Sequence, residues 1–422
     1  MNRYVFAILV LLSSFSLFAQ EPAIQVKKDT TVDSKEKKVS PFSTGFYPIG
    51  FFDIDLRYII KVNNYEGVRL GIGGLTNEKL FETVRLGGYF AYGFKDKQSK
   101  YSLGGGVRLD KETNTWVNAY YTDDIAEVGS FGYLTDARVY SVFEPRLVNV
   151  TQFYKHKTYQ ANIQHEFSKK FSSEFRIARS GIDQILGYKY INDGRIYDNY
   201  DLAEATASVR ISPKTNFLTN ENGTVEYYDG FPKISAQIIQ GFKGIADSDF
   251  SYTKFGLRLD YYIKRTDLSS TTILLEGNLA LGDVPITHLF HAYPNSPTKE
   301  TILQRFSVAG VNSFETMYFG EFYSDKLTML QVKHSLRRFD FGRKFKPELV
   351  FITRHALGDL SNKEKHVGLD FGTLNQLYSE SGFELNKLIY GFGLSFAYRY
   401  GFYNLPVFED NISFKFTFNL KF

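Results

Sequence analysis

Two histidines, His288 and His291, stand three positions apart in the last third of the chain. Imidazoles at this spacing can hold a metal ion when both lie on one face of a helix. The residues around them predict a loop, with no cysteine nearby and no third ligand in register. We therefore expect both histidines in a solvated loop, and we predict no metal ion and no other cofactor.

Serine, histidine and acidic residues are numerous enough for a hydrolase, but the chain has no G-x-S-x-G stretch. Which of these side chains meet in space cannot be read from one sequence. His334 and His355 lie on predicted strands, where we expect them to project into a polar interior. We predict no catalytic residues and favour a non-enzymatic protein. A barrel hydrolase acting on lipid or peptide is the alternative.

Composition favours strands and excludes several classes of protein. The 422 residues include 40 Phe, 30 Tyr and 34 Gly but only 11 Pro, a balance typical of strands joined by tight turns. The absence of cysteine excludes disulfides, thiolate metal sites and a lipid anchor on cysteine. The net charge of +4 does not indicate nucleic-acid binding, which usually needs a concentrated basic patch.

The first residues have the layout of a secretory signal peptide. A short basic region at Arg3 precedes an apolar stretch and small residues near Ala19. A membrane-anchoring helix is the alternative, but a span needs about 20 apolar residues. We predict a signal peptide at 1–20, a flexible periplasmic tail at 21–45 and a β-barrel at 46–422.

From Phe52 onward, apolar and polar residues alternate, as in Phe52–Val62 and Phe392–Tyr400. Because a strand points successive side chains to opposite faces, each segment has one apolar face, which here is nearly free of charge. The opposite face carries glycine, serine and repeated arginines. We predict that these arginines face the barrel lumen: Arg69, Arg85, Arg108, Arg210, Arg258 and Arg399.

The length of these segments separates two fold classes. Strands of a soluble β-sandwich also alternate but average about five or six residues. Several segments here run to about ten residues, the length that crosses a bilayer at a tilt. The sequence predicts an all-β fold, a transmembrane antiparallel β-barrel of about 16 strands. The predicted strands are Phe52–Val62, Gly67–Thr76, Thr83–Gly93, Lys100–Leu109, Thr115–Thr122, Thr158–Phe167, Phe171–Ala178, Ala203–Ser212, Ile234–Gly241, Ser251–Ile263, Thr271–Leu281, Leu327–Arg337, Pro347–Leu357, Tyr378–Lys387, Tyr390–Tyr400 and Ile412–Phe422.

Loop lengths agree with this order of strands if both termini are periplasmic. Long connections, such as Asp123–Lys157 and Gly282–Lys326, then fall on the outer side, and short ones fall on the inner side. Pro213–Lys233 is long and falls on the inner side, which questions the count at that point. We expect Glu321 and Asp325 to anchor the Gly282–Lys326 loop against lumen arginines. A solvated strand end is the alternative.

The chain ends in FKFTFNLKF, an alternating strand that closes on phenylalanine. In lipid every backbone N–H and C=O needs a partner, so we expect the last strand to pair with the first. A terminal strand of this kind resembles the insertion signal of outer-membrane barrels, which the assembly machinery reads. The residues that match it are Phe414, Phe416, Phe418, Leu420 and Phe422.

Four stretches resemble a family of unknown function from Bacteroidetes-type outer membranes: Glu66–Asn77, Gly87–Gly106, Phe314–Leu327 and Ser379–Leu388. The resemblance covers most of Tyr47–Phe422, and EFYSDKL with the closing hairpins is its most specific part. In typical members a carboxypeptidase-regulatory-like domain precedes a C-terminal barrel. Only a short polar tail stands at that place here, so we do not expect functions that rely on that domain.

The last third resembles, more distantly, the sixteen-stranded surface-antigen barrels of the BamA type. In these barrels a long outer loop precedes the last five strands, and its Arg-Gly-aromatic motif folds into the lumen. The corresponding connection, Gly282–Lys326, contains AGVNSFETM and lacks that motif. The tail is also too short for periplasmic polypeptide-transport domains, so insertase or secretion activity would rest on fold analogy alone.

These patterns together predict an integral protein of the cell outer membrane with a non-enzymatic role in transport, translocation or envelope architecture. The expected partners are outer-membrane lipid and, during insertion, the barrel-assembly machinery. Lumen arginines are expected to pair with carboxylates and to hold the interior rigid and plugged. A net positive lumen for anionic solutes is the alternative, and a secreted soluble β-sandwich binding protein is the alternative outside the membrane.

Overall fold

The structure is a computed structural model that describes residues 45–136, 145–219, 225–228, 230–297, 307–342, 345–389 and 391–418. Regular structure in these ranges is almost entirely strand, with a few short 3-10 helices. Within them, no helix combines the length and the apolar character that crossing a membrane requires.

The strands are numbered in chain order. They are β1 (Phe46–Ile49), β2 (Phe52–Asp55), β3 (Ile60–Asn63), β4 (Gly67–Thr76), β5 (Val84–Gly93), β6 (Gln98–Asp110), β7 (Thr115–Glu127), β8 (Phe153–Ser168), β9 (Phe171–Gln184), β10 (Lys189–Asn192), β11 (Arg195–Tyr197), β12 (Asn199–Ile211), β13 (Asn216–Thr219), β14 (Val225–Tyr228), β15 (Lys233–Gly241), β16 (Tyr252–Lys264), β17 (Ser270–Gly282), β18 (Pro294–Ser296), β19 (Ser307–Val308), β20 (Phe314–Tyr318), β21 (Lys326–Ser335), β22 (Glu348–Asp359), β23 (His366–Val367), β24 (Tyr378–Ile389), β25 (Phe392–Gly401) and β26 (Ile412–Phe418). The 3-10 helices are Leu56–Tyr58, Pro145–Val148, Ile245–Asp247, Ile286–His288, Lys363–Lys365 and Phe408–Asn411.

Among the described strands, nineteen join one sheet. β2 and β3 pair with successive parts of β4, so they act as one strand that the 3-10 helix Leu56–Tyr58 interrupts. Each position then pairs antiparallel with the next, in the order β4, β5, β6, β7, β8, β9, β12, β15, β16, β17, β21, β22, β24, β25 and β26. With β1 and β19 as short additions, the sheet has sixteen positions. The prediction of an all-β, antiparallel transmembrane barrel of about 16 strands is confirmed.

Each of the sixteen predicted segments overlaps one position of this sheet. The long inner connection Pro213–Lys233, which questioned the count, contains the small hairpin of β13 and β14. The hairpin stands outside the large sheet, so it leaves the alternation of outer and inner connections unchanged.

The two faces of the sheet differ as the alternation requires. On β22, Phe351 and Leu357 are each 48% exposed, whereas Arg354, on the opposite face, is 2% exposed. Phe383 of the adjacent β24 is exposed and its neighbour Glu384 is buried. Exposed apolar side chains on the outer face suit contact with acyl chains, and the polar face is enclosed.

The last strand meets loop residues at its free edge. Within the described residues, β26 does not pair with β1, β2 or β3, contrary to our expectation, and it pairs in parallel with the two residues of β19. The Asn149 side-chain amide donates to Val308 O of β19 at 2.8 Å. The side-chain amide of Asn64, beside β3, donates to Asn149 O at 3.2 Å. Loops that we predicted to lie on the outer side therefore bridge the two ends of the sheet.

A second, small sheet lies among the outer connections. β10 and β11 belong to the connection between β9 and β12, and β23 belongs to the connection between β22 and β24. β10 pairs with both of the others, so residues far apart in the chain form one outer cap.

Candidate functional site in the barrel interior

Two of the connections that we predicted to lie on the outer side turn inward and occupy much of the interior. The first plug segment is Val128–Asp136, which follows β7, and the second plug segment is Asp283–Asp325, described at 283–297 and 307–325. Both contribute to one buried apolar cluster with inward-facing strand residues. Its plug members include Val128, Phe131, Tyr133, Ile286, Leu289, Phe290, Phe314, Met317 and Tyr323.

Glu380, on β24, fastens the second plug segment to the wall. Its buried carboxylate accepts the backbone N–H groups of Glu315 and Thr316, both at 2.9 Å, and the Thr316 hydroxyl at 2.6 Å. Arg354, directly opposite on β22, donates to the same carboxylate at 2.7 Å. One carboxylate therefore balances a buried cation and satisfies two backbone donors of β20, which would otherwise be costly to bury.

Lys415, on the last strand, forms a second attachment. Its ammonium lies 2.9 Å from the Glu315 carboxylate, with both side chains 1% exposed, and it donates to Asn295 O at 2.5 Å. The Ser313 hydroxyl donates to the same carboxylate at 2.7 Å. Because every charged group here has partners, the pair can remain out of water.

The two predicted loop anchors have different partners. The Glu321 carboxylate lies 2.8 Å from Nη2 of Arg399 on β25. The Asp325 carboxylate accepts the backbone N–H of Ser361 at 2.8 Å, so it contacts the connection that follows β22. The structure thus places one residue against a lumen arginine and the other against a neighbouring outer loop.

The first plug segment depends on a glycine in the wall. A Cβ at Gly256 of β16 would lie 2.3 Å from Cε1 of Phe131, so only a residue without a side chain leaves room for this ring. The Tyr133 hydroxyl donates to Oδ1 of Asn278 on β17 at 2.6 Å. Gly256 therefore leaves room for the Phe131 ring, and Asn278 on the adjacent strand accepts a hydrogen bond from Tyr133. Together they hold the first plug segment against the wall.

All six arginines that we predicted to face the lumen lie opposite the exposed apolar side chains of their strands. They are Arg69, Arg85, Arg108, Arg210, Arg258 and Arg399. Arg69 is 2.7 Å from Asp124 of β7, and Arg258 is 2.9 Å from Asp136 at the end of the first plug segment. These guanidinium groups pair with carboxylates across the interior.

Arg85 and Arg108 share one aromatic partner. Their guanidinium carbons lie 4.1 Å and 4.7 Å from the ring centroid of Trp116, within the range of cation–π attraction. Arg210, on β12, is fully buried.

His288 and His291 are in the interior, so our expectation of a solvated loop was wrong. His291 is 5% exposed, and its Nε2 lies 2.9 Å from the Glu127 carboxylate. His288 lies 3.5 Å from Glu204 of β12. Within the described ranges, no group of three or more histidine, cysteine or acidic residues is placed to hold a metal ion.

His334 and His355 face outward, contrary to our expectation of lumen-facing side chains. His355 shares its face with exposed Leu357, and its ring nitrogens contact the hydroxyls of Ser379 and Thr353, each at 3.0 Å. No carboxylate of the described residues joins this contact, so it lacks the third member of a hydrolytic triad.

The predicted insertion signal lies on the outer face of β26. Phe414 and Phe416 are 45% and 48% exposed, and Phe418 has the same orientation by parity. Leu420 and Phe422 lie outside the described residues.

Sequence reasoning missed Glu315, Glu380 and Lys415. Glu380 and Lys415 are charged residues on the polar faces of two closing strands, and this was the available signal. Glu315 lies in a segment without periodicity, so nothing in the sequence indicated that it would be buried.

The outer cap is joined to the second plug segment by a hydrogen-bonded chain. The Ile286 backbone N–H donates to the Tyr188 hydroxyl at 3.1 Å, and that hydroxyl lies 2.7 Å from Nδ1 of His366. Because the Tyr188 oxygen accepts from the Ile286 N–H, its own O–H can donate to Nδ1 of a neutral His366. Burial, with the adjacent Lys365, lowers the pKa of His366 to about 4.

We expect the outer cap to loosen as the pH falls from about 6.5 towards 4. An undocked His366 takes up a proton near its ordinary pKa of about 6.5, whereas the docked ring resists it, so docking is strongest above that pH. The loss of docking free energy approaches about 3 kcal/mol. Hydrogen-exchange protection factors of β10 amides, corrected for intrinsic rates, should fall over this range while those of β8 remain constant. H366Q should remove the dependence; an unchanged dependence would assign it to another group.

The comparisons with known proteins agree with the fold. A family model described as "Family of unknown function (DUF5686) C-terminal domain" matches residues 189–279, outside the four stretches quoted above. BamA from Haemophilus ducreyi, in a structure lacking POTRA domains 1–3, is similar with a TM-score of 0.52 and 13% identity, over 85% of this chain and 68% of that chain. CdiB from Acinetobacter baumannii has a TM-score of 0.39 and 11% identity, over 84% and 57%. No curated protein matches. The likeness to BamA shows a shared fold and nothing of activity.

Proposed function

We propose that this protein is an integral outer-membrane β-barrel whose lumen is closed by its own outer loops, and that it serves gated transport or translocation. The observation that carries the proposal is the buried attachment of the second plug segment through Glu380 and Lys415. A barrel for free diffusion keeps a water-filled lumen, whereas here loop side chains pack against the wall.

The chemistry of the attachment favours a gate over a permanent filling. Ion pairs of this kind offset the cost of burying their charges without a large surplus, while loss of one partner is strongly destabilising. A bound solute or partner that competes for Glu380 or Lys415 would therefore shift the plug with a modest differential affinity. Packed apolar residues alone would lack such a point of control.

The location and the partners belong to the same proposal. A signal peptide at residues 1–20 would direct the chain out of the cytoplasm, and the outward phenylalanines of β26 would be read by the barrel-assembly machinery of a Gram-negative, Bacteroidetes-type cell. The exposed apolar face of the sheet supports contact with outer-membrane lipid. The role is non-enzymatic, supported by the histidine contacts on the outer face, which lack a carboxylate partner.

Refolded wild-type protein should insert into planar bilayers and show no steady conductance. It should also migrate faster on a gel before heating than after, as folded barrels do, and should stay with membranes after a carbonate wash. A steady conductance would contradict closure by the plug, and recovery as a water-soluble protein would contradict the membrane location.

A further inference from the structure

A cavity of about 350 Å³ lies inside the barrel, between the wall and the two plug segments. This volume falls within the range of small-molecule sites, about 300–1,000 Å³. Residues of the first plug segment, residues of the second and inward side chains of five strands line it, among them Phe131, His288, Glu174, Arg176, Glu204 and Lys254.

Lys254 is the unusual member of this lining. The residue is 2% exposed, and its ammonium has no hydrogen bond or ion pair with any described residue. It lies 5.1 Å and 4.9 Å from the ring centroids of Phe131 and Phe290. Cation–π attraction offsets part of the cost of a buried charge, but an ammonium has three donors that rings do not satisfy as oxygens do.

Arg176 faces the same cavity from the same level of the wall. Lys254 pairs in register with Ile239, Ile239 with Thr206, and Thr206 with Arg176, so four neighbouring strands carry these side chains in one row. Arg176 is half-buried, and its guanidinium also makes no ion pair or hydrogen bond with the described residues. Two cationic side chains that make no hydrogen bond or ion pair with the described residues therefore face one cavity.

The carboxylates of the cavity have partners already. Glu174 accepts from the Gln164 side-chain amide at 3.0 Å. Glu204 accepts from the Tyr252 hydroxyl at 2.7 Å and lies 3.5 Å from His288. The lining therefore holds two carboxylates and two cations, and Glu204 is close enough to act electrostatically on Lys254. The hydrogen-bond donors that lack a partner among the described residues belong to the two cations, so the group that would complete them is an oxyanion with several acceptor oxygens.

We propose that this cavity binds a small organic oxyanion, with a carboxylate or phosphate group held between Lys254 and Arg176. The planar guanidinium suits two oxygens of one group and the ammonium supplies a point charge. The rings of Phe131, Tyr133 and Tyr154 suit an organic body. Binding in the cavity does not require the plug to move, so this inference goes beyond the proposed gate and can fail independently of it.

Calorimetric titration of the full chain in detergent tests the proposal, with inorganic phosphate, benzoate and choline as probes. We expect saturable binding of phosphate, benzoate or both, at about one equivalent, and none of choline. K254M and R176Q should each weaken binding by at least about tenfold. K264M, which changes an exposed lysine at the end of the same strand, should bind as the wild type does.

Thermal unfolding separates loss of the site from loss of the fold. Without anion, K254M should unfold at the wild-type temperature or above it, because a buried ammonium without hydrogen-bond partners among the described residues is replaced by an apolar chain of similar length. Anion should raise the unfolding temperature of the wild type and leave that of K254M unchanged. Absence of saturable binding to either anion, equal binding of choline, or wild-type affinity in both K254M and R176Q would overturn the proposal.

Discussion

Replacement of Glu380 by alanine is expected to release the second plug segment and to give a silent barrel a steady conductance. The substitution leaves Arg354 as a buried charge without its carboxylate, and it removes the acceptor of two backbone N–H groups, those of Glu315 and Thr316. Breaking a buried pair in this way costs about 3–5 kcal/mol. Single-channel recording in planar bilayers measures the opening directly.

Matched variants separate opening from general damage. E364A removes an exposed carboxylate of an outer connection and should remain silent. E380Q keeps one acceptor oxygen and should open less often than E380A. The double variant R354M/E380M removes the unpaired charge but not the orphaned N–H groups, so it should recover part of the closure. If E380A showed no conductance and had the same unfolding temperature as the wild type, the attachment through Glu380 would not be what closes the barrel.

Gly256→Val is expected to expel the first plug segment from the interior. Its Cβ would meet the Phe131 ring at 2.3 Å, and the wall strand cannot retreat because β15 and β17 pair with both of its edges. Overpacking of this kind costs about 1–3 kcal/mol, which corresponds to a change of roughly 5- to 150-fold in the fraction of expelled segment.

The chain has no cysteine, so one introduced thiol reports the expulsion. Thr135→Cys places it at a residue that is 3% exposed beside Ser235 in the native interior. Labelling by a water-soluble maleimide should be slow in T135C alone and faster by that factor in G256V/T135C. G277V/T135C is the control, since a Cβ at Gly277 of β17 meets no atom within 4 Å. Equal labelling in all three would mean that the segment does not depend on Gly256.

The positions of the strands were predictable because their environment is uniform along the chain. One face of the sheet is apolar and exposed and the other is an enclosed polar interior, so every long segment repeats the same two-residue contrast. The predicted strand Gly67–Thr76 has the same first and last residues as β4. The largest extension at one end is that of β9, which continues to Gln184 where we predicted an end at Ala178, because polar residues from Arg179 onward interrupt the alternation.

The bridging of the sheet ends was not predictable. Alternation in the sequence predicts pairing only between strands that are consecutive in the chain. The edge of β26 is instead covered by β19, which belongs to a distant loop. The prediction for His288 and His291 was wrong for the same reason. No local sequence pattern distinguishes a loop that turns inward from one that enters water.

The amino-acid sequence by itself determined the class of the fold, the order and approximate positions of the strands and the face on which each predicted arginine lies, because these follow from alternation within single segments. Only the tertiary structure decided that two plug segments occupy the interior, which carboxylates hold the second of them, and which buried cation makes no hydrogen bond or ion pair with the described residues. These features depend on meetings between distant residues, such as Glu315 with Lys415 and Phe131 with Gly256. Such contacts arise only when the strands and the loops have packed together, and no local pattern encodes them.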